Sequence, residues 1–134
     1  MNTTPTLVVG LGCQSGCSVE ALSALFNAAL AGAGINPRQI TALASIDRKQ
    51  NEPGLLALAA DLGLPLQFFS AEHLASHAAQ LSHRSAVAFA HTGCYGIAES
   101  AALALAERLA QRPARLLIPR QKSPQATFAL ACAG

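Results

Sequence analysis

The stretch Leu7-Val8-Val9-Gly10-Leu11, followed at once by Gly12-Cys13-Gln14-Ser15-Gly16, constrains the fold more than any other part of the chain. A short apolar run with β-branched residues and no polar alternation fits a strand covered on both faces, the condition of a strand inside a parallel sheet. Parallel strands need a crossover, and the residues after Gly16 supply one. Ser18 is placed to cap a helix that runs to about Ala31, with Val19, Leu22, Leu25, Phe26 and Leu30 at helical spacing. Gly32, Gly34 and Pro37 end that helix, and Ile40 to Ile46, bounded by Pro37 and Asp47, reads as the second strand. Strand, helix, strand is the right-handed parallel unit.

The alternation continues. Pro53 and Gly54 open a helix through Leu62, closed by Gly63, and Leu66 to Phe69 makes a third strand. Ser70 is a good N-cap for a helix over Ala71 to Gln80, with Glu72 favourable beside its positive end. Ser82 to Ala90 fits either a strand or irregular structure. A turn at Thr92 to Gly96 leads into an alanine-rich helix from Ile97 to Gln111. Leu116 to Ile118 is a fourth strand ended by Pro119, and Thr127 to Ala131 a fifth. The last two lie too close together for a helical crossover, so they pair antiparallel. The expected fold is an α/β three-layer sandwich, a mostly parallel sheet of about five strands with an antiparallel edge strand, in one domain spanning residues 1–134.

Composition narrows the function classes. With 51% hydrophobic and 12% charged residues the chain has ample material for a core and little charge to cover a monomer, which points to a homo-oligomer or a covered partner face. A net charge of +2, no Trp and a single Tyr argue against nucleic acid. No apolar run reaches membrane-spanning length and no secretory signal precedes the first strand, so the expected location is cytoplasmic, without a membrane partner. There the four cysteines are expected as reduced thiols, and the Cys13 to Cys17 spacing fits neither a redox CxxC nor a zinc ribbon. His73 and His77 are four apart but lack a third ligand at matching spacing, so no metal and no cofactor is expected.

Ligands of parallel α/β sheets bind outside the carboxyl ends of the strands, where loops and helix N-termini gather unpaired N–H groups. That rule selects Gly12, Cys13 and Gly16 after the first strand, Asp47, Arg48 and Lys49 after the second, and Arg120, Lys122 and Ser123 after the fourth. The glycine loop lacks both the Lys-Ser/Thr pair of a Walker loop and the GxGxxG order of a dinucleotide site, so it serves equally as an anion-binding loop or a plain turn. Arg48, Lys49, Arg120 and Lys122 are four of nine cations and together suit a ligand with several carboxylates. Thr92 and Gly93 form a second small-residue turn beside His91. Glu99, near the start of the following helix, is a capping carboxylate or, with Asp47, a candidate acid or base. Composition and spacing name no reaction.

The same blocks resemble the CobE family, the domain also found at the C-terminal end of CbiG, over nearly the whole chain. They are Val9 to Cys13 with Gly16, Leu43 to Lys49 with Glu52 to Leu55, Leu62 to Leu66 and Phe68 to Glu72, Thr92-Gly93 with Ala98 to Leu103, and Pro119 to Ser123 with Thr127. Cys94 and Tyr95 depart from the small or apolar residues usual in the family's second turn. The resemblance implies a role in cobalamin biosynthesis. CbiG carries additional N-terminal sequence and is a cobalt-precorrin-5A hydrolase, whereas the stand-alone domain belongs to the aerobic route. Two kinds of function follow as expectations. One is a carrier, chaperone or accessory factor that holds a polycarboxylate precorrin or corrinoid, with other cobalamin-pathway enzymes as partners; the other is a hydrolase or rearrangement enzyme that uses Glu99 or Asp47.

Overall fold

Alternate residues of the first strand, β1 (Thr6–Cys13), face two unlike layers. Leu7, Val9 and Leu11 meet Leu22, Phe26 and Leu30 of α1 (Val19–Gly32) and Leu55 and Leu58 of α2 (Pro53–Leu62). Val8 belongs to the opposite layer, with Leu74 of α3 (Ala71–Ala75) and the alanines of α4 (Ile97–Ala110). The remaining strands are β2 (Ala42–Ile46), β3 (Leu66–Phe69), β4 (Ala114–Lys122) and β5 (Ala126–Ala133). These coordinates are a computed structural model that describes residues 5–77, 80 and 96–134. The expected strand or irregular segment at Ser82 to Ala90 lies outside the described residues.

Among the described residues the sheet has five strands in the order β3-β2-β1-β5-β4. β1 pairs parallel with β2, and β2 parallel with β3; β5 pairs antiparallel with both β1 and β4. The edge strand β4 therefore runs in the same direction as β1, and β5 is the one reversed strand, inserted between them. The α/β three-layer sandwich with an antiparallel pairing at its edge is as expected.

The two faces differ in side-chain size. The α1/α2 face carries leucines and an edge-to-face contact between Phe26 and Phe128, ring centroids 6.1 Å apart. The α4 face is built from Ala42, Ala44, Ala131 and Ala133 against Ala101, Ala102, Ala104 and Ala106. Small residues on both sides let the helix backbone approach the sheet, and the approach is closest at Gly10, where an added Cβ would run into the backbone oxygen of Ala98. α4 is consequently buried continuously from Ala98 to Ala106, including Glu99 and Ser100.

Helix starts follow the expected chemistry. Ser18 Oγ accepts from Ala21 N at 3.1 Å and Ser70 Oγ from His73 N at 3.1 Å. Several boundaries differ from expectation. β1 continues through Gly12 and Cys13, because both pair with β5 at Thr127 and Ala126. β2 begins at Ala42 rather than Ile40, which instead closes a short 3-10 turn. α3 stops at Ala75, where Ser76 N donates to His73 O at 3.2 Å, instead of running to Gln80. α4 ends at Ala110, one residue short, as Gln111 turns to φ 57°. β4 runs on through Pro119 to Lys122: on an edge strand the missing N–H costs little, and the ladder is interrupted between Ile118 and Gln121. No described helix is long and apolar enough to cross a membrane.

The close approach at Gly10 predicts that Gly10→Ala destabilises the protein by about 2 kcal/mol or more, since backbone rather than a flexible side chain must move. Gly32→Ala, at a helical position with open space around it, should stay within about 1 kcal/mol of the parent, on the stabilising side. Denaturant unfolding of the two variants checks the contrast.

Candidate functional site

Because β1, β2 and β4 run in one direction, their carboxyl ends share an edge of the sheet with the start of β5. That edge holds the loop after β1, the short 3-10 turn Asp47–Lys49 after β2, and the β4–β5 turn. Hydrogen bonds knit the three together. Gln14 N donates to Gln125 O at 2.9 Å, and Gln14 Nε2 to Pro124 O at 3.3 Å. Lys49 Nζ donates to Ser15 Oγ at 3.5 Å. Deeper in, Ser45 is fully buried and its Oγ donates to Leu11 O at 2.7 Å, tying β2 to β1 where both leave the sheet.

The expected residues occupy different stations on this edge. Lys49 is half-buried; Asp47 and Arg48 are exposed on the same turn, and Lys122 is exposed at the end of β4. Arg120 is half-buried within β4. Its backbone N–H, released by the irregularity after Ile118, donates to Glu99 Oε2 at 2.8 Å. Glu99 is wholly buried in the first turn of α4, so this bond joins helix to edge strand and places the carboxylate beneath the β4 end of the site. Ser123 closes the β4–β5 turn, its N–H donating to Ala126 O at 2.9 Å and its Oγ accepting from Ala126 N at 3.2 Å. Thr92, Gly93 and His91 lie outside the described residues.

The glycine loop differs from an open anion cradle. Gly12 is a strand residue, buried opposite Thr127, where a Cβ would lie 2.7 Å from Thr127 Oγ1. Gly16 does require glycine, with φ at +81°, but its N–H is already bonded to Glu52, whose carboxylate oxygens accept it at 3.1 and 3.3 Å. Cys17 N donates to Gln14 O at 3.1 Å. Glu52 was legible only as part of a family block; a carboxylate just before Pro53 reads as a helix-start charge, and nothing local tells that it reaches back thirty-six positions to Gly16.

Cys13, Cys17 and Cys132 are free thiols. Burial pushes the Cys13 thiol from its ordinary value of 9.0 up to about 11, against the pull of the nearby Lys49 ammonium and with smaller upward contributions from Cys17 and Glu52. Cys17 is raised as well, by burial and then by Glu52. Neither is an activated nucleophile. The two histidines also find structural work: His73 stacks edge-on against Phe69, and buried His77 bonds Gln80 through Nδ1 at 2.9 Å with Glu107 3.9 Å from its Nε2. Their rings stack on one another at 6.4 Å. Among the described residues no cluster of three or more His, Cys, Asp or Glu side chains is arranged to hold a metal.

Alkylation of Cys13 should therefore reach half its limiting rate near pH 11, and at pH 8 its thiolate fraction should be about a hundredfold below that of an ordinary cysteine. The unfolded chain releases this proton first, so the native state loses stability as the pH rises from 9 to 11. Iodoacetamide labelling followed on the Cys13 peptide checks the first statement; a midpoint near 9 would contradict the buried environment.

Comparison with known proteins agrees with this architecture. Residues 7–131 match the family model described as Cobalamin synthesis G C-terminus. Protein CobE of Sinorhizobium sp is 41% identical over 125 residues, 93% of this chain and 79% of that protein. A cobalt-precorrin-5A hydrolase of Priestia megaterium is 32% identical over 97 residues, 72% of this chain but 25% of the hydrolase. The crystal structure of CobE, a protein from the cobalamin (vitamin B12) biosynthetic pathway, superposes with a TM-score of 0.95 at 42% identity, covering 100% of this chain and 94% of that one. The chain belongs to the cobalamin synthesis G C-terminus family and is a cobalamin-biosynthesis protein.

Proposed function

We propose that this protein binds a polycarboxylate precorrin or corrinoid intermediate at the carboxyl-end edge of its sheet and serves the pathway as a carrier, chaperone or accessory factor for other cobalamin-pathway enzymes. The observation that carries the reading is convergence. Lys49 and Arg48 from the β2–α2 connection, and Arg120 and Lys122 from β4, come to one edge from separate parts of the chain. Corrin-pathway intermediates carry acetate and propionate arms around a large ring, and cations spaced along an edge suit several carboxylates better than one compact anion. The half-buried Lys49 is favoured as an anchor, because partial desolvation strengthens its pairing with a carboxylate.

The state of the candidate nucleophiles and carboxylates supports binding over turnover. Cys13 is held as a neutral thiol, Glu99 is engaged with the backbone of Arg120, and Asp47 is an exposed turn residue. The matched part of the Priestia megaterium hydrolase is a quarter of that protein, which leaves most of its length without a counterpart in the alignment. A catalytic reading would need a residue whose loss stops product formation while binding persists.

Replacing Lys49 and Lys122 together with alanine should weaken binding of a metal-free corrin polycarboxylate such as hydrogenobyrinic acid by about tenfold to a hundredfold, from the loss of two charge-assisted contacts, with the unfolding midpoint unchanged. Titration followed by the tetrapyrrole absorbance reads the affinity, and the same spectra followed over time separate the two functional classes. A saturable, static shift supports the carrier reading, a new product spectrum supports an enzyme, and an unchanged affinity in the double variant removes the electrostatic part of the proposal.

A further inference from the structure

The β1–α1 loop stands where strand–loop–helix units commonly take phosphate: at the carboxyl end of a central parallel strand, glycine-bearing, and leading into a helix. Several of its donors, Gly16 N among them, are spent internally. Gln14 N goes to Gln125 O, Cys17 N to Gln14 O, and Ala21 N in the first turn of α1 to Ser18 Oγ. Gly16 N is taken by Glu52, which is 8% exposed. Glu52 occupies the N-cap position of α2 but makes no side-chain cap to its own helix. It reaches across to the other loop instead.

The contact belongs to a register of three. Lys49 meets Ser15, Glu52 meets Gly16, and Gly54 lies so close to the carbonyl oxygen of Cys17 that a Cβ there would collide with it. Two positions of the β2–α2 connection and one in the first turn of α2 thus meet three successive positions of the β1–α1 loop. A buried carboxylate at the centre of that register does what a bound oxyanion does elsewhere: it accepts the N–H of a glycine at positive φ beside a lysine.

We propose that Glu52 is a specificity-determining and positioning residue, an internal carboxylate that fills the oxyanion position of the glycine loop and so closes it to phosphates while holding Ser15 and Lys49 in place for carboxylate arms at the edge. The second half of this statement rests on the binding reading above; the first does not. The side chain of Glu52 occupies the place a compact oxyanion would take at Gly16, and the N–H such an ion needs is already bonded. Carboxylates on flexible arms need no backbone cradle, because a lysine side chain can meet them outside the loop. The selectivity therefore runs against nucleotides and inorganic phosphate, and toward ligands whose anionic groups are spread around an apolar body.

The test uses inorganic phosphate and three variants. Glu52→Met fills much of the same space without an oxygen acceptor, Glu52→Ala removes the side chain, and Glu52→Gln keeps an oxygen for Gly16 N. In about 20 mM phosphate, against chloride at equal ionic strength, the Met or Ala variant should gain a rise in melting temperature of roughly 3 °C that the parent and Glu52→Gln lack. In corrin polycarboxylate titrations phosphate should compete in Glu52→Met and not in the parent or Glu52→Gln. A general loss of packing would lower all melting temperatures without creating a phosphate response. Equal responses to phosphate in the parent and both acceptor-free variants, present or absent, would overturn the role given to Glu52. A parent that takes up no corrin acid would defeat the binding reading instead, and the melting data would still decide whether Glu52 closes the loop.

Discussion

The approach of α4 to β1 at Gly10 is the constraint on which the rest of the domain depends. A helix can lie so near a sheet only where the touching surfaces lack bulk, and here Gly10 and the alanines of β2 and β5 meet the alanines of α4, with Val8, Ile46, Leu103 and Leu105 in the same layer. The close fit buries the helix from Ala98 to Ala106 and carries Glu99 inside with it. An interior carboxylate must find donors, and the irregularity of β4 around Pro119 leaves the Arg120 N–H free of the ladder to supply one. The packing of small residues, the interruption of the edge strand and the position of the Arg120 cation are thus one arrangement.

The opposite face works by a different rule. Leucines and the Phe26–Phe128 contact fill a thicker layer, and α1 and α2 are set apart from the sheet by those side chains. The loops that precede both helices are therefore not located by close backbone contact with the sheet, and they are held by each other instead. Ser45 to Leu11 O, Lys49 to Ser15, Glu52 to Gly16 and the close contact of Gly54 with Cys17 form a seam between the exits of β1 and β2. Gln14 extends the seam to the β4–β5 turn. The surface at this edge is set by polar contacts, with Arg48, Lys49, Arg120 and Lys122 along it.

Much of the fold was legible because its signals are local. A continuous apolar run followed by glycine, serine caps before helical periodicity, and a final pair of strands too close for a crossover each constrain a few neighbouring residues, and the strand–helix alternation follows from them. That the connections after β1, β2 and β4 would meet at one edge was legible too, since strands running in one direction end on the same side of the sheet. Less legible was the extent of β4 and β5. Pro119 reads as a strand terminator, yet an edge strand with an irregular ladder continues through it, and the sequence carries no mark of which strand will be the edge.

What the sequence by itself determined is the class of fold, the order of its elements and the loops that meet at one edge, because these depend on periodicity, caps and connection lengths. What only the tertiary structure decided is how the donors on that edge are used. Gly12 looked like part of an open loop and is a packed strand residue opposite Thr127; Gly16 looked like an available N–H and is bonded to Glu52. A glycine announces that its backbone has freedom, but whether the N–H beside it faces solvent or a buried carboxylate thirty-six positions away depends on chain segments brought together by folding. The same holds for Glu99, whose position in a first helical turn is written locally while its partner on β4 is not.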